Sequence, residues 1–178
     1  RAQAGMGYLS QEPSVFRKLT VRQNLLAILE TMGDLTRAER MEQAGQLIEQ
    51  FGLKQQRDQM AGLLSGGERR KLEIARALVT EPKLILLDEP FSGVDPKSVE
   101  DLQEEILKLK KKGIAILLTD HNVRETLRVT DRSYIIHEGR LLAEGTPRTI
   151  VQNERVRETY LGNTFRGEFF GSFANGAM

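Results

Sequence analysis

There is no cysteine in this chain, and two histidines are all the imidazole it carries. The first absence excludes a disulfide scaffold and a thiolate metal site, and the second leaves too few ligands for an imidazole cluster. An excess of one charge is also missing. Twenty-six lysines and arginines face 25 aspartates and glutamates, a net charge of +1, so electrostatics offers no reason to wrap nucleic acid or lie on an anionic membrane. The longest apolar runs, "LLAIL" and "IAILL", are five residues, against the ~20 a membrane-crossing helix needs. No signal peptide opens the chain, so a cytoplasmic location is expected. One further absence matters most. The phosphate cradle G-x-x-x-x-G-K-[ST] does not occur, and none of the sixteen glycines is followed by lysine.

What is present suffices for a folded domain: 178 residues with 39% apolar content can bury a core. The chain starts at Arg1 and runs straight into the strand-like "MGYLS", which, with the missing phosphate loop, suggests an N-terminal truncation. Two amphipathic helices are predicted next. "TVRQNLLAILETMG" has Thr20 as N-cap and Gly33 as its stop, and "TRAERMEQAGQLIEQFG" has a Thr36–Glu39 capping box and an apolar stripe of Met41, Ala44, Leu47, Ile48 and Phe51. Residues 20–64 thus read as a helical insertion. The pattern then turns to β/α: a helix over 66–80, the strand "LILL", a helix capped by Asp95-Pro96 and ending in lysines, and the strand "IAILLT". Both strands are expected to be buried on two faces of a parallel sheet. A short helix, "NVRETLRV", precedes a hairpin turning at Glu138-Gly139, and "TPRTIVQN" starts a helix at Pro147. The expected organisation is a helical subdomain (20–64), a signature helix with an α/β core (65–145) and a helical C-terminal extension (146–178). Phe165, Phe169, Phe170 and Phe173 lie among glycines in the tail, as a loose end or a docking segment.

Chemistry concentrates at strand ends. "LILLDEP" puts Asp88 and Glu89 where ligands sit in open α/β sheets, one suited to hold Mg2+ through its water shell and the other to polarise a water. His121 follows the next strand in "LLTDH", and parallel pairing would bring it beside Glu89. Gln11, after the first strand, has the reach to touch a metal-bound water. His137 has no motif around it and reads as structural. In "LLSGGERRKLEIARAL", Ser65, Gly66, Gly67 and Glu68 open a helix at which backbone N–H groups can meet an anion. Asp95 in "FSGVD" is both a helix cap and a possible contact across an interface.

In this order Gln11, "LSGGE", "LILLDEP", "SGVD" and "TDH" resemble the Q-loop, signature, Walker B, D-loop and switch histidine of ABC-type ATPases. The resemblance covers nearly the whole chain. It implies a P-loop NTPase core lacking its N-terminal Walker A part, with ATP and Mg2+ as ligands. It further implies Asp88 as the metal aspartate, Glu89 as general base, His121 as the γ-phosphate switch and Gln11 as the metal-water and coupling residue. Ser65, Gly66, Gly67 and Glu68 would contact an ATP bound to the other subunit of a head-to-tail pair, so these 178 residues alone should hydrolyse ATP poorly or not at all. "TDHNVRET" and "YLGNTF" are similar to the branch of the family that powers lipopolysaccharide export in Gram-negative bacteria; the branched-chain amino-acid importers, or a non-catalytic fragment of the family, are the alternatives. That implies a homodimer on the cytoplasmic face of the inner membrane, coupled to two transmembrane permease subunits, with Phe16 and Arg17 near the groove that receives them. The DNA-repair and chromosome-organising relatives carry a long coiled coil, whereas here 53 residues without heptads separate Gln11 from Ser65.

Overall fold

The computed structural model describes residues 5–161. The tail phenylalanines and all but the first two residues of "YLGNTF" lie outside the described residues. The chain forms two compact units, Arg1–His121 and Asn122–Met178.

The first unit is built on three parallel strands, β1 (Met6–Leu9), β2 (Leu84–Asp88) and β3 (Ala115–Thr119), with β2 in the middle. Leu9 pairs with Leu87 and Asp88 with Thr119, so the polar ends of all three strands emerge at one edge. Helices α1 (Val21–Leu29) and α2 (Arg37–Gln50) fill the segment between β1 and helix α3 (Gly66–Leu78); α4 (Pro96–Lys111) links β2 to β3. Their starts are written locally. Thr20, Thr36 and Ser65 each accept a bond from the backbone three residues on and receive the returning Gln23, Glu39 or Glu68 side chain, a full capping box in each case. Asp95 caps α4 ahead of Pro96, and Lys108, Lys110 and Lys111 sit in its last turn. α1 ends at Leu29, short of Gly33, and Met41 is exposed rather than part of the α2 stripe, whose buried positions are Ala44 and Ile48.

One expectation about the sheet fails. β2 has Ile85 and Leu87 buried on one face and Leu84 and Leu86 half-buried on the other, whereas β3 is not a buried strand: Leu117 is 59% exposed, on the same face as Tyr8 of β1 at 57%. α3 packs on β1, and α4 packs on α3, which covers one face alone. β3 is in addition an edge strand among the described residues, so an apolar run there does not imply two-sided burial.

The second unit begins with α5 (Val123–Leu127), followed by the antiparallel strands β4 (Ser133–His137) and β5 (Arg140–Gly145), then α6 (Pro147–Gln152), α7 (Glu154–Val156) and a π-helical turn at Arg157–Leu161. Glu138 and Gly139 have φ of 48° and 73°, the two left-handed residues that a type I′ hairpin turn requires. Val123, Leu127, Ile135, Ile150, Val151, Val156 and Leu161 form its core. The His137 Nδ1 lies 3.0 Å from the Tyr160 hydroxyl, and the rings meet edge to face.

Candidate active site

Four of the residues singled out from the sequence meet at the C-terminal edge of the parallel sheet. Glu89 sits just past β2, where the chain turns through a φ of 44°, a left-handed conformation that costs a non-glycine residue roughly 1 kcal/mol or more. Its amide donates to the Thr119 carbonyl at 2.8 Å, which ties the turn to the neighbouring strand. The Gln11 Nε2 donates to Glu89 Oε2 at 3.0 Å, and the His121 Nδ1 lies 3.3 Å from the same oxygen. His121 is 71% exposed and Glu89 27%, so the carboxylate is held from two sides yet open to solvent. Asp88 accepts a 2.6 Å bond on Oδ1 from the Thr119 hydroxyl. Asp120, 1% exposed, accepts from the Phe91 amide and so pins the "EPF" turn to the end of β3.

The start of α3 is a separate cluster. The Ser65 hydroxyl accepts from the Glu68 amide at 3.2 Å, while Glu68 accepts from the Ser65 amide at 2.8 Å and from the Gln56 side chain at 2.8 Å. Ser65 and Gly66 are exposed, and Leu63 beside them is 73% exposed. Gly67 is buried for a packing reason. A Cβ placed on it would lie 2.2 Å from the Ser98 Oγ, whereas one on Gly66 would meet only the Gly93 carbonyl at 3.2 Å. Asp95 links to this cluster through Ser98. Hydrogen bonds from Ser98, the hydroxyl first and then the amide, hold the Asp95 carboxyl below its ordinary range.

Phe16 and Arg17 lie on the surface of the first unit. The Phe16 ring is 43% exposed and carries the Arg76 guanidinium 4.5 Å above its centroid; the Arg17 carbonyl accepts from the Gly62 amide.

Three polar residues were not singled out from the sequence. Arg70 is buried, and its guanidinium donates to the carbonyls of Ser10, Asp88, Glu89 and Pro90 at 2.7, 2.8, 2.9 and 3.3 Å. It thereby fastens the α3 helix to the turn that presents the two acids. Glu73 pairs with it at 3.1 Å. Asn24 is fully buried and holds Phe16 by both its amide and its carbonyl. The available signal was polarity on a helix face that should be apolar: Arg70 and Glu73 three apart, and Asn24 next to Leu25 in the α1 stripe.

With this geometry in view, the chain can be set beside known proteins. A model of the ABC transporter family matches residues 1–92. The chain belongs to that family. A second model, of the branched-chain amino acid ATP-binding cassette transporters, matches residues 140–166. Over 166 residues the chain is 54% identical to the lipopolysaccharide export system ATP-binding protein LptB of Haemophilus influenzae and 53% identical to that of Escherichia coli K12, covering 93% of this chain and 69% of each relative. Among solved structures, MJ1267, an ATP-binding cassette of an ABC transporter in its ADP conformation, superposes with a TM-score of 0.73 at 31% identity over 90% of this chain and 70% of that one. The P-loop NTPase fold of the ABC ATPases and the place of this ABC subunit as an ATP-binding, ATP-hydrolysing component of a transporter are therefore as the motifs implied. No helix of the described residues is long and apolar enough to cross a membrane.

Proposed function

We propose that this ABC subunit hydrolyses ATP with Glu89 as the general base, and that the work done is lipopolysaccharide export from the inner membrane. The observation that carries the catalytic part is the convergence of Gln11 and His121 on one oxygen of Glu89 at the mouth of a parallel sheet. A carboxylate so held accepts a hydrogen bond from an attacking water and aims it, while His121, exposed beside it, is placed to contact the γ-phosphate. Phosphoryl transfer asks for little beyond such positioning and charge stabilisation. Mg2+ fits the donors present: Asp88 supplies one carboxylate, and Gln11, whose Nε2 is engaged by Glu89, keeps its amide oxygen for a metal-bound water. A hydrated ion bound by a single acid and phosphate oxygens is the usual mode for Mg2+, which would neutralise phosphate charge when bound.

Ser65, Gly66, Gly67 and Glu68 act on a nucleotide held by a second copy. Their support is the exposure of Ser65 and Gly66 at a helix start, where backbone N–H groups can meet an anion. The working unit is a homodimer at the cytoplasmic face of the inner membrane, joined to transmembrane permease subunits through the surface at Phe16 and Arg17, with Asp95 at the dimer contact. The lipopolysaccharide assignment leans on the 54% identity to LptB. The match at residues 140–166 supports a second reading, a branched-chain amino-acid importer. Reconstitution of the full-length ATPase with its membrane subunits separates the two: ATP-driven release of lipopolysaccharide is expected, and uptake of leucine in its place would overturn the assignment. In the same preparation Glu89→Gln should lower turnover by roughly 10²- to 10⁴-fold and trap ATP-loaded dimers; an unaltered rate would remove Glu89 from the role of base.

A further inference from the structure

Arg70, Glu73 and Arg76 recur at every third position of α3, which puts them along one side of the helix. All three bind the segment that leaves β1. The Glu73 carboxylate is 2% exposed and divides its oxygens between two partners. Oε1 accepts from the Ser14 amide at 2.5 Å and from the Ser14 hydroxyl at 3.4 Å, and Oε2 accepts from Arg70 Nη1 at 3.1 Å. That Arg70 nitrogen also donates to the Ser10 carbonyl, while the rest of the guanidinium grips the carbonyls of Asp88, Glu89 and Pro90. Arg76 completes the row, donating to the Ser14 carbonyl at 2.7 Å and lying over Phe16.

A buried ion pair is a poor device for stability alone, because desolvating both charges offsets most of their attraction. What this pair does have is reach. One carboxylate fixes the backbone at Ser14, two residues from the exposed Phe16, and through Arg70 it fixes the backbone of the catalytic turn. We propose that Glu73 is a positioning residue: it ties the 10–17 loop to the Asp88–Pro90 turn, so that a displacement at Phe16 is delivered to Glu89 as a change of aim. This rests on the reading of Glu89 as the base. The Gln11–Glu89 bond is a second connection between the same two segments, but it joins side chain to side chain at the open end of the sheet, whereas the Glu73 connection is buried and ends on backbone.

The test is made on the full-length ATPase, comparing Glu73→Gln, Glu73→Asp and Glu89→Gln with the wild type. Turnover and KM for MgATP are measured per folded molecule, together with amide hydrogen exchange over residues 11–17 and 88–92. Glu73→Gln keeps the shape and one acceptor but loses the charge that holds Arg70. It should lower kcat roughly tenfold, as expected when a catalytic group is misplaced by a fraction of an ångström, with KM within about twofold and faster exchange in both segments. Glu73→Asp keeps the charge and should recover part of the loss. A wild-type kcat in Glu73→Gln, with only a lower melting midpoint, would mean that Glu73 is structural and overturn the inference. Should Glu73→Gln fail to fold, Glu73→Asp decides by the same readout: reduced kcat at unchanged KM supports the link, and wild-type kcat refutes it. The Glu89→Gln arm isolates the underlying reading, since full activity there would remove the base whatever Glu73 does.

Discussion

The two chemical regions of the first unit are assembled in opposite ways. At the sheet edge, Gln11, Glu89 and His121 come from segments far apart in the chain; the Gln11–Glu89 bond alone spans 78 positions. At the start of α3, Ser65 and Glu68 satisfy each other within one helical turn. The first region closes on itself, with its groups engaged by one another. The second is complete as a helix cap and open outward, its serine and first glycine exposed. On the proposed roles, a site that aims a water requires tertiary assembly, whereas a contact offered to another copy can be formed in advance by local capping. α3 connects them, since its first turn carries the outward cluster and Arg70 in its second turn grips the catalytic turn.

Breaking that connection should have the largest effect on stability. Arg70→Ala leaves Glu73 buried without its ion-pair partner and removes the guanidinium donor from four carbonyls, which should cost about 3–5 kcal/mol in urea unfolding. Next comes the contact that seats the helix start. Gly67→Ala drives a methyl group into Ser98 and should cost about 1–3 kcal/mol, while Gly66→Ala, which meets only the Gly93 carbonyl, should cost clearly less; equal costs would mean that Ser98 yields freely. Ser65→Ala and Thr20→Ala each remove a capping box and should each cost about 1 kcal/mol. Of the two, Ser65→Ala alone should also depress hydrolysis in the full-length dimer, and equal turnover in both would reduce Ser65 to a cap. The smallest effect concerns pH. Asp95 has its carboxyl lowered by Ser98, so its contribution is fully present above the ordinary aspartate range and is lost as the pH falls through the lower folded value. Asp95→Asn should therefore lower stability slightly at neutral pH and leave it unchanged at the acid end, which flattens the acid limb of the stability curve.

How much of this was legible in the sequence depended on how local the cause was. The caps at Thr20, Thr36, Ser65 and Asp95 were, because a cap needs only its own first turn, and so was the hairpin at Glu138-Gly139, whose two left-handed residues suffice. His121 beside Glu89 required one further step, the parallel pairing of β2 and β3. The exposure of Leu117 was not legible, since an apolar run records what a strand can bury and not what covers it. Arg70, Glu73 and Asn24 were hidden for a related reason. A charged or amide residue on a helix reads as solvated, and only the return of a distant segment carrying carbonyls and amides makes it a buried partner.

In the proposed dimer, the catalytic acid and the signature serve one nucleotide from two different copies. Mixing two inactive full-length variants tests it directly, Glu89→Gln with a Gly66→Asp signature variant. If the site is shared between copies, each mixed dimer retains one intact site, and an equal mixture should regain roughly a quarter of wild-type ATP hydrolysis, because half of the dimers are mixed and each has one of two sites. If the acid and the signature of the same copy served one site, every site in the mixture would carry a defect, and the mixture would remain as inactive as its components.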